Sequence, residues 1–299
     1  MRRRPVLLVA TLVVVALTLA GCRSATTSTA PATPSGALPT VVGGFGEHPS
    51  ISFPKSGPPA AVVADALVKG AGRVVTRRDV VVLNYVGQVW GGAVFANTYE
   101  SGQPLVRALT ALVAGWSDNL VGATVGSRMV LSLPPSAGYG NDGAVVPGIG
   151  PADTTVFVVD VVNAFGADAA GQSDAVPDPA AAASVGPQVH GDLGAPAGLT
   201  LPADVAAPTQ VVTTVLARGT GDAVHAGDLV GQYAGVDWMG TSVGSSWQAG
   251  TPEVFPVSPD VPTFAGLIGV PVGSRVLLQE LATTASPAVA VVVDLVAQP

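Results

Sequence analysis

Runs of apolar and β-branched residues, bounded by glycine, proline or polar residues, recur along this chain. Val80–Val89, Arg128–Leu133 and the segment 154–165 are such runs, and each pattern is typical of a β-strand. The segment 105–114 is short, rich in leucine and alanine, and followed by a glycine, which predicts a helix. Several strands with one short helix favour an α+β module in which an antiparallel sheet wraps around the helix.

The same motifs occur twice, about 148 residues apart. The clearest matches are Tyr85-Val86-Gly87 with Tyr233-Ala234-Gly235, and Val125-Gly126-Ser127-Arg128 with Val272-Gly273-Ser274-Arg275. Near the C-terminal end the spacing falls to about 134, because Val158-Val159-Asp160 matches Val292-Val293-Asp294. The second copy therefore lacks about thirteen residues before its last strand.

The repeat divides the chain into two predicted domains, 41–166 and 187–299. Between them, the segment 167–186 is rich in alanine, aspartate, proline, glycine and serine and shows no hydrophobic period, which is typical of a linker. We therefore expect two α+β modules, each a curled antiparallel sheet around a short helix.

The N-terminal segment predicts export and a lipid anchor. Arg2-Arg3-Arg4 precedes an apolar stretch over 6–20, the pattern of a signal peptide over 1–21. Leu19-Ala20-Gly21-Cys22 resembles the lipobox of bacterial lipoproteins, in which the cysteine receives the lipid. The segment 22–40 is expected to be a flexible tether that holds the protein outside the cytoplasm at the cell membrane. The alternative is an ordinary signal peptide with an incidental cysteine.

Composition excludes several classes of function. The chain has 13 basic and 20 acidic residues, a formal net charge of −7, so a basic surface for nucleic acid is not expected. With one cysteine and three scattered histidines, an internal disulfide is excluded and a cysteine or histidine metal site is not expected. We expect neither a metal nor a cofactor.

The first copy resembles FKBP-type peptidyl-prolyl cis/trans isomerases over roughly 76–165. The resemblance depends on an ordered set of segments: Tyr85-Val86-Gly87, Gly91-Gly92-Ala93-Val94-Phe95, Gly115-Trp116, Leu120-Val121-Gly122, Leu133-Pro134-Pro135, Gly138-Tyr139-Gly140 and Val156-Phe157. It implies an antiparallel sheet curled around a short helix and an aromatic pocket that binds an X-Pro bond.

By this resemblance Trp116 forms the pocket floor, and the backbone N–H of Val113 receives a substrate carbonyl. The implied walls are Tyr85, Phe95, Val113, Tyr139 and Phe157, and the implied flanking residues are Leu105, Leu112 and Ile149. These residue types suit the chemistry, because rotation about an X-Pro bond needs no nucleophile. An apolar pocket removes water from the amide and so disfavours the resonance form that stiffens the bond.

Two departures from the family pattern predict weak catalysis. Ala96 stands where the family usually has an aspartate directly after the pocket phenylalanine, and Leu105 stands where an aromatic residue is common. The segment 143–151 is expected to form a flap over the pocket, and it is longer than in the usual family pattern.

The second copy departs further. Val243 replaces Phe95, the position of Trp116 aligns with Thr263 beside Phe264, and the flap is missing. We therefore expect a degenerate module with a scaffolding or binding role.

Three functions remain open from the sequence. The first is a prolyl isomerase that assists the folding of exported proteins and acts on proline-containing or unfolded polypeptides. The second is a non-catalytic peptide-binding or chaperone lipoprotein. The third, a purely structural surface module, requires the aromatic residues to form a closed core.

Overall fold

The fold is taken from a computed structural model, which describes residues 38–140 and 146–299. The predicted signal peptide, Cys22, nearly all of the predicted tether and part of the predicted flap lie outside these residues. Within them, none of the helices is long and apolar enough to cross a membrane.

The first half consists of a small hairpin and a six-stranded sheet. The hairpin pairs β1 (Thr40–Val42) with β2 (Ser50–Ser52). The elements of the sheet region are β3 (Val63–Val68), β4 (Val80–Val89), β5 (Val94–Asn97), helix α1 (Thr98–Ser101), β6 (Leu105–Ala108), helix α2 (Ala114–Leu120), β7 (Arg128–Leu133) and β8 (Thr155–Phe165). The strand order is β3-β7-β8-β4-β5, with β6 also paired to β4.

Strand β4 is buried at consecutive positions because both of its faces are covered. Val81 and Leu83 pack in the core beneath helix α2, whereas Val80 and Val82 pack against Val230 of the second half. A strand covered on both faces shows a continuous apolar run instead of strict alternation. The three strands predicted from such runs are confirmed to within one residue as β4, β7 and β8.

The helix predicted over 105–114 is wrong. Leu105–Ala108 is a strand that pairs with β4, and Leu109–Ala111 forms a single 3₁₀ turn. The longest helix of the first half is Ala114–Leu120. Strand pairing that buries Val106 between the two halves outweighs the helical propensity of leucine and alanine.

The second half repeats the strand order of the first. Its elements are β9 (Val176–Pro177), helix α3 (Pro179–Ser184), β10 (Gln188–His190), β11 (Gly198–Thr200), β12 (Val212–Arg218), β13 (Gly227–Asp237), β14 (Ser242–Ser245), helix α4 (Ser246–Ala249), β15 (Glu253–Val257), helix α5 (Pro262–Ala265), β16 (Arg275–Glu280) and β17 (Val289–Ala297). A second hairpin pairs β10 with β11, and the seven-stranded sheet has the order β14-β13-β17-β16-β12-β9, in which β9 is an added edge strand and β15 also pairs with β13.

The segment 167–186, predicted as a linker, carries regular structure. Strand β9 pairs with β12 at the edge of the second sheet. Helix α3 begins after Asp178, whose carboxylate accepts a hydrogen bond from the Ala181 N–H, a typical N-cap.

One buried arginine ties each hairpin to its sheet. Arg128 is fully buried; its Nε donates to Asp160, and its Nη atoms donate to the carbonyls of Gly43 and Glu47. In the second half the same roles belong to Arg275, which bonds Asp294 and the carbonyls of Gly191 and Ala195. Each hairpin is therefore held by charge-assisted hydrogen bonds in addition to its apolar contacts.

The two sheets belong to one compact unit and contact each other directly. Val106 and Val254 pack in a shared apolar cluster with β4 and β13. At the margin of this cluster, Arg78 Nη1 donates to the carbonyl of Ala249 over 3.1 Å. Strands β6 and β15 thus lie close to each other where the two sheets meet.

Candidate functional site

Five aromatic side chains of the first sheet form one cluster centred on Phe157. Its ring centroid lies 4.9 Å from that of Trp116, 5.6 Å from Phe95, 6.2 Å from Tyr85 and 6.4 Å from Tyr139. The pairs with Trp116 and Phe95 are edge-to-face, an arrangement that aromatic quadrupoles favour. The cluster therefore packs as one interlocked unit on the inner face of the sheet.

Glycine and a bulge create the space for these rings. A Cβ atom at Gly87 would lie 2.9 Å from ring atoms of both Phe95 and Phe157, so only glycine lets the rings rest on strand β4. Opposite Gly87, the ladder shifts register and leaves Phe95 as the extra residue of a β-bulge. A bulge turns a side chain away from strict alternation, which directs Phe95 to this face.

Trp116 is positioned by the start of helix α2. Its backbone N–H donates to the carbonyl of Val113, the residue before the helix. The preceding Gly115 packs so closely that an added Cβ would lie 2.6 Å from both Ala137 O and Leu133 Cδ2. Glycine weakens a helix by roughly 0.5–1 kcal/mol relative to alanine. Here it permits close packing that sets the indole against Tyr85, with centroids 5.0 Å apart.

An open cavity of about 200 Å³ lies over Trp116. Its lining residues are Tyr85, Leu105, Arg107, Ala111, Leu112, Val113, Trp116 and Tyr139. Six of the nine residues that the family resemblance places in the pocket thus surround one opening. The aromatic residues are not sealed in a closed core, as the purely structural interpretation requires.

The other three predicted residues lie behind or beside this opening. Phe157 is completely buried and supports Trp116 and Tyr85 from below. Phe95 lies edge-on to Tyr139, with centroids 6.1 Å apart. Ile149 is 6% exposed and follows the residues that the structure does not describe. None of the three lines the cavity.

Sequence reasoning missed Arg107 and Ala111. Both lie in the segment predicted as a helix, and that prediction gave them no place beside the opening. The available signal was the position of Arg107 between Val106 and Ala108, since one charged residue in an apolar stretch suits an edge strand with one exposed face.

Apart from the exposed Arg107 at its margin, the cavity is lined by uncharged side chains, and burial partly dehydrates its two tyrosines. Burial raises the pKa of Tyr85, and burial together with the neighbouring Tyr85 raises the pKa of Tyr139. Both phenols therefore stay protonated near neutral pH and remain able to donate hydrogen bonds. No carboxylate lines this cavity, and among residues 38–140 and 146–299 no cluster of potential metal ligands occurs.

The backbone N–H of Val113 is available at the cavity wall. Within the described parts of the chain it donates to no acceptor. An unused backbone donor beside an apolar opening can receive a carbonyl oxygen of a bound polypeptide.

Comparison with known proteins identifies the family. The model of the FKBP-type peptidyl-prolyl cis-trans isomerases matches residues 72–162. A probable FK506-binding protein of Corynebacterium glutamicum is 33% identical over 119 residues, which cover 40% of this chain and 99% of that protein. The chain belongs to the FKBP-type family. Its matched region contains all five clustered aromatic residues.

Further FKBP-type relatives differ in how much of their length is matched. The FK506-binding protein of Streptomyces anulatus is 34% identical over 119 residues, covering 39% of this chain and 96% of that protein. FkpA of Escherichia coli, an FKBP-type isomerase, is 37% identical over 117 residues, covering 38% of this chain and 43% of that protein. The chain thus spans less than half the length of FkpA.

The second sheet lies outside residues 72–162, which the family model matches. The elements around its inner face resemble those of the first sheet, but the space over that face is filled by a side chain. Val261 precedes helix α5 and accepts from the N–H of Phe264, just as Val113 accepts from Trp116. The position equivalent to Trp116 is therefore Phe264, and the prediction of Thr263 is wrong. The reason is that the helix starts set the correspondence, and the spacing between them is 148 residues instead of 147.

Phe255 occupies the space that is open in the first sheet. It pairs with Leu229 across the ladder, as Arg107 pairs with Val81. Where Arg107 points out at the cavity margin, Phe255 is 8% exposed and packs edge-on against Phe264 at 5.5 Å. The second sheet consequently has an aromatic side chain where the first has an opening.

Proposed function

We propose that the first sheet is a peptidyl-prolyl cis/trans isomerase that acts on proline-containing or unfolded exported polypeptides and assists their folding. One observation carries the proposal: an open cavity with Trp116 at its base, walled by Tyr85 and Tyr139, in a chain of the FKBP-type family. Unassisted X-Pro isomerisation takes tens to hundreds of seconds, so it limits the folding of chains that emerge unfolded.

The cavity supplies the two effects that this rotation needs. The barrier of about 18–20 kcal/mol arises from amide resonance, whose charge-separated form water stabilises. Apolar and aromatic walls remove that water and hold the proline ring on Trp116. The Val113 N–H and the protonated tyrosines offer hydrogen bonds to the neighbouring substrate carbonyls. No group of the protein gives or takes a proton in this scheme.

Ala96 makes the proposed enzyme weak, and its replacement is the test. Ala96→Asp is expected to raise the isomerisation rate of a proline tetrapeptide by about tenfold or more, because a hydrogen bond to a charged group contributes roughly 1.5–3 kcal/mol. Strand β5 places this residue opposite Gly87, next to the aromatic cluster. The measurement is kcat/KM of the full chain by a coupled peptide assay.

Ala93→Asp is the matched control, since it adds the same charge at an exposed position of the preceding turn. It should leave the rate unchanged. The isomerase proposal is wrong if the unmodified chain isomerises the peptide no faster than buffer does and Ala96→Asp does not raise the rate.

The second candidate is a peptide-binding or chaperone protein without catalysis. Two observations favour it: Ala96 lacks a carboxylate, and Phe255 fills the equivalent space in the second half. In this alternative the cavity binds proline-containing segments and releases them without accelerating the exchange between their cis and trans forms.

We further propose that the chain holds two FKBP-like modules, of which the second has lost its pocket. The equal strand order of the sheets, the paired hairpins and the repeated arginine–aspartate pairs support a duplication. Phe255 fills the space that corresponds to the cavity of the first module. This supports a binding or scaffolding role for the second module, with all isomerisation in the first.

Anchoring to the cell membrane through Cys22 completes the proposal. Cys22→Ala is expected to release the protein from the membrane fraction or to leave an unprocessed precursor, because attached acyl chains contribute about 0.8 kcal/mol for each buried methylene. The measurement is fractionation with mass analysis of the N-terminus. Ser24→Ala, two residues away, is the control and should remain in the membrane. A correctly processed Cys22→Ala protein that stays fully membrane-bound would contradict the anchor.

A further inference from the structure

A second opening lies between the two sheets and adjoins the cavity over Trp116. It measures about 410 Å³, and Arg107 and Ala111 line both openings. Its first wall consists of strand β6 and Ala111, and its opposite wall comes from the second half. The residues of that opposite wall are Asp228, Tyr233, Ser246, Ala249, Thr251, Pro252, Glu253, Val254 and Pro256.

Each wall of the opening contains a strand that is hydrogen-bonded to a neighbour along one edge only. Strand β6 pairs only with β4, and β15 pairs only with β13, among the residues that the structure describes. An edge strand presents unpaired N–H and C=O groups, which can pair with an extended polypeptide. The opening is thus bordered on two sides by backbone groups of the kind that bind another backbone.

Three charged side chains line the opening without forming ion pairs among the described residues. Arg107 on the first wall, and Asp228 and Glu253 on the second, are exposed and take part in no ion pair among residues 38–140 and 146–299. The second wall therefore carries two carboxylates and no basic residue of its own, although Arg78 of the first half bonds it at the carbonyl of Ala249. The two carboxylates favour a polypeptide with a lysine or arginine that faces this wall.

We infer that this interdomain cleft is the binding site for the polypeptide that flanks the proline. The inference rests on the proposed function, because the proline must enter the cavity over Trp116. The chain on one side of the proline then passes Arg107 and Ala111 and runs along the opening, across the contact between β6 and β15. The substrates are extended, unfolded segments with a basic residue that faces the second wall, and the second module supplies half of their binding site.

The test compares peptides that reach the cleft with peptides that do not. One is a proline tetrapeptide, and the other is a lysine-containing peptide of about fifteen residues, which extends at roughly 3.3–3.6 Å per residue beyond the cavity. Ala249 is an exposed wall residue of the second half and does not line the cavity over Trp116. Ala249→Trp fills the cleft without touching the aromatic cluster.

We expect the full chain to bind the long peptide more tightly than the tetrapeptide, and Ala249→Trp to weaken only the long peptide, by about tenfold. Ala285→Trp, an equal change at an exposed residue that lines neither opening, should weaken neither. Calorimetric or fluorescence titration gives the dissociation constants.

Glu253→Lys tests the charge of the wall. It should reduce affinity for the lysine-containing peptide and increase affinity for an equivalent peptide with glutamates, with both changes fading as salt is raised. Unchanged affinities in Ala249→Trp and Glu253→Lys, with the tetrapeptide still bound, overturn the cleft assignment and leave the proposed function standing. If neither peptide is bound by the unmodified chain, the proposed function itself fails, and the cleft assignment falls with it.

Discussion

Replacing Arg128 by methionine is expected to destabilise the first module by about 3–5 kcal/mol, because the change leaves a buried carboxylate without its cationic partner. Arg128 and Asp160 are both completely buried, and Nε and Nη2 of the arginine lie 2.6 and 2.8 Å from the two carboxylate oxygens. The carbonyls of Gly43 and Glu47 lose their donors as well. Chemical unfolding followed by circular dichroism measures the effect.

The neighbouring phenol does not compensate for the loss. Tyr99 donates its hydroxyl hydrogen to Asp160 over 2.7 Å, and burial, with the hydrogen bond to this carboxylate, raises the pKa of Tyr99 far above its usual range. This single bond comes from an uncharged donor, so it supplies neither the positive charge nor the two N–H donors that the arginine gives to the carboxylate.

The matched control for Arg128→Met is Arg77→Met. Arg77 bonds Asp118 over 2.7 Å, but both side chains are more than half exposed, so this pair contributes at most about 1 kcal/mol. Equal losses of stability in Arg128→Met and Arg77→Met would show that burial of the Arg128–Asp160 pair has no special weight.

Truncating Trp116 should have the largest effect on activity. Trp116→Ala removes the base of the cavity and its edge-to-face contacts with Tyr85 and Phe157, so we expect loss of proline-peptide binding and at least about a hundredfold lower kcat/KM. Stability should fall by about 3–5 kcal/mol, the usual range for truncating a buried tryptophan. Peptide assays and unfolding measurements are made on the same preparation.

Trp90→Ala separates this effect from a general loss of packing. Trp90 packs edge-on against Phe53 at 5.2 Å, in the cluster on the opposite face of the sheet. Activity should survive this truncation. Trp116→Leu, which retains more of the apolar volume, should fold and still lack activity. A folded Trp116→Leu protein with full activity would contradict the role of the indole.

The sequence predicts the strands well because their packing demands are local. Continuous apolar runs located β4, β7 and β8 to within one residue, since strands covered on both faces need apolar side chains at successive positions. The segment 105–114 failed because its strand forms only through pairing with Val80–Leu83 and burial against the second half, neither of which is visible in local composition.

The residues of the candidate site also fall into those that the sequence predicts and those that it does not. The ordered motifs brought Tyr85, Trp116 and Tyr139 to one cavity, because the nearby Gly87 and Gly115 allow the close packing that positions the aromatic rings. Two features depend on tertiary packing and were not predicted. Arg107 lies where two openings adjoin because the two halves contact each other, and Phe255 fills the space in the second half that corresponds to the cavity.

We propose that the cavity over Trp116 accelerates rotation about a bound X-Pro bond. The most direct measurement is the rate of cis–trans exchange in a proline tetrapeptide, followed by NMR exchange spectroscopy with catalytic amounts of the full chain. We predict exchange faster than in buffer with the unmodified chain, faster still with Ala96→Asp, and no acceleration with Trp116→Leu. Saturable binding of the peptide with exchange as slow as in buffer would contradict the claim and leave a binding protein in its place.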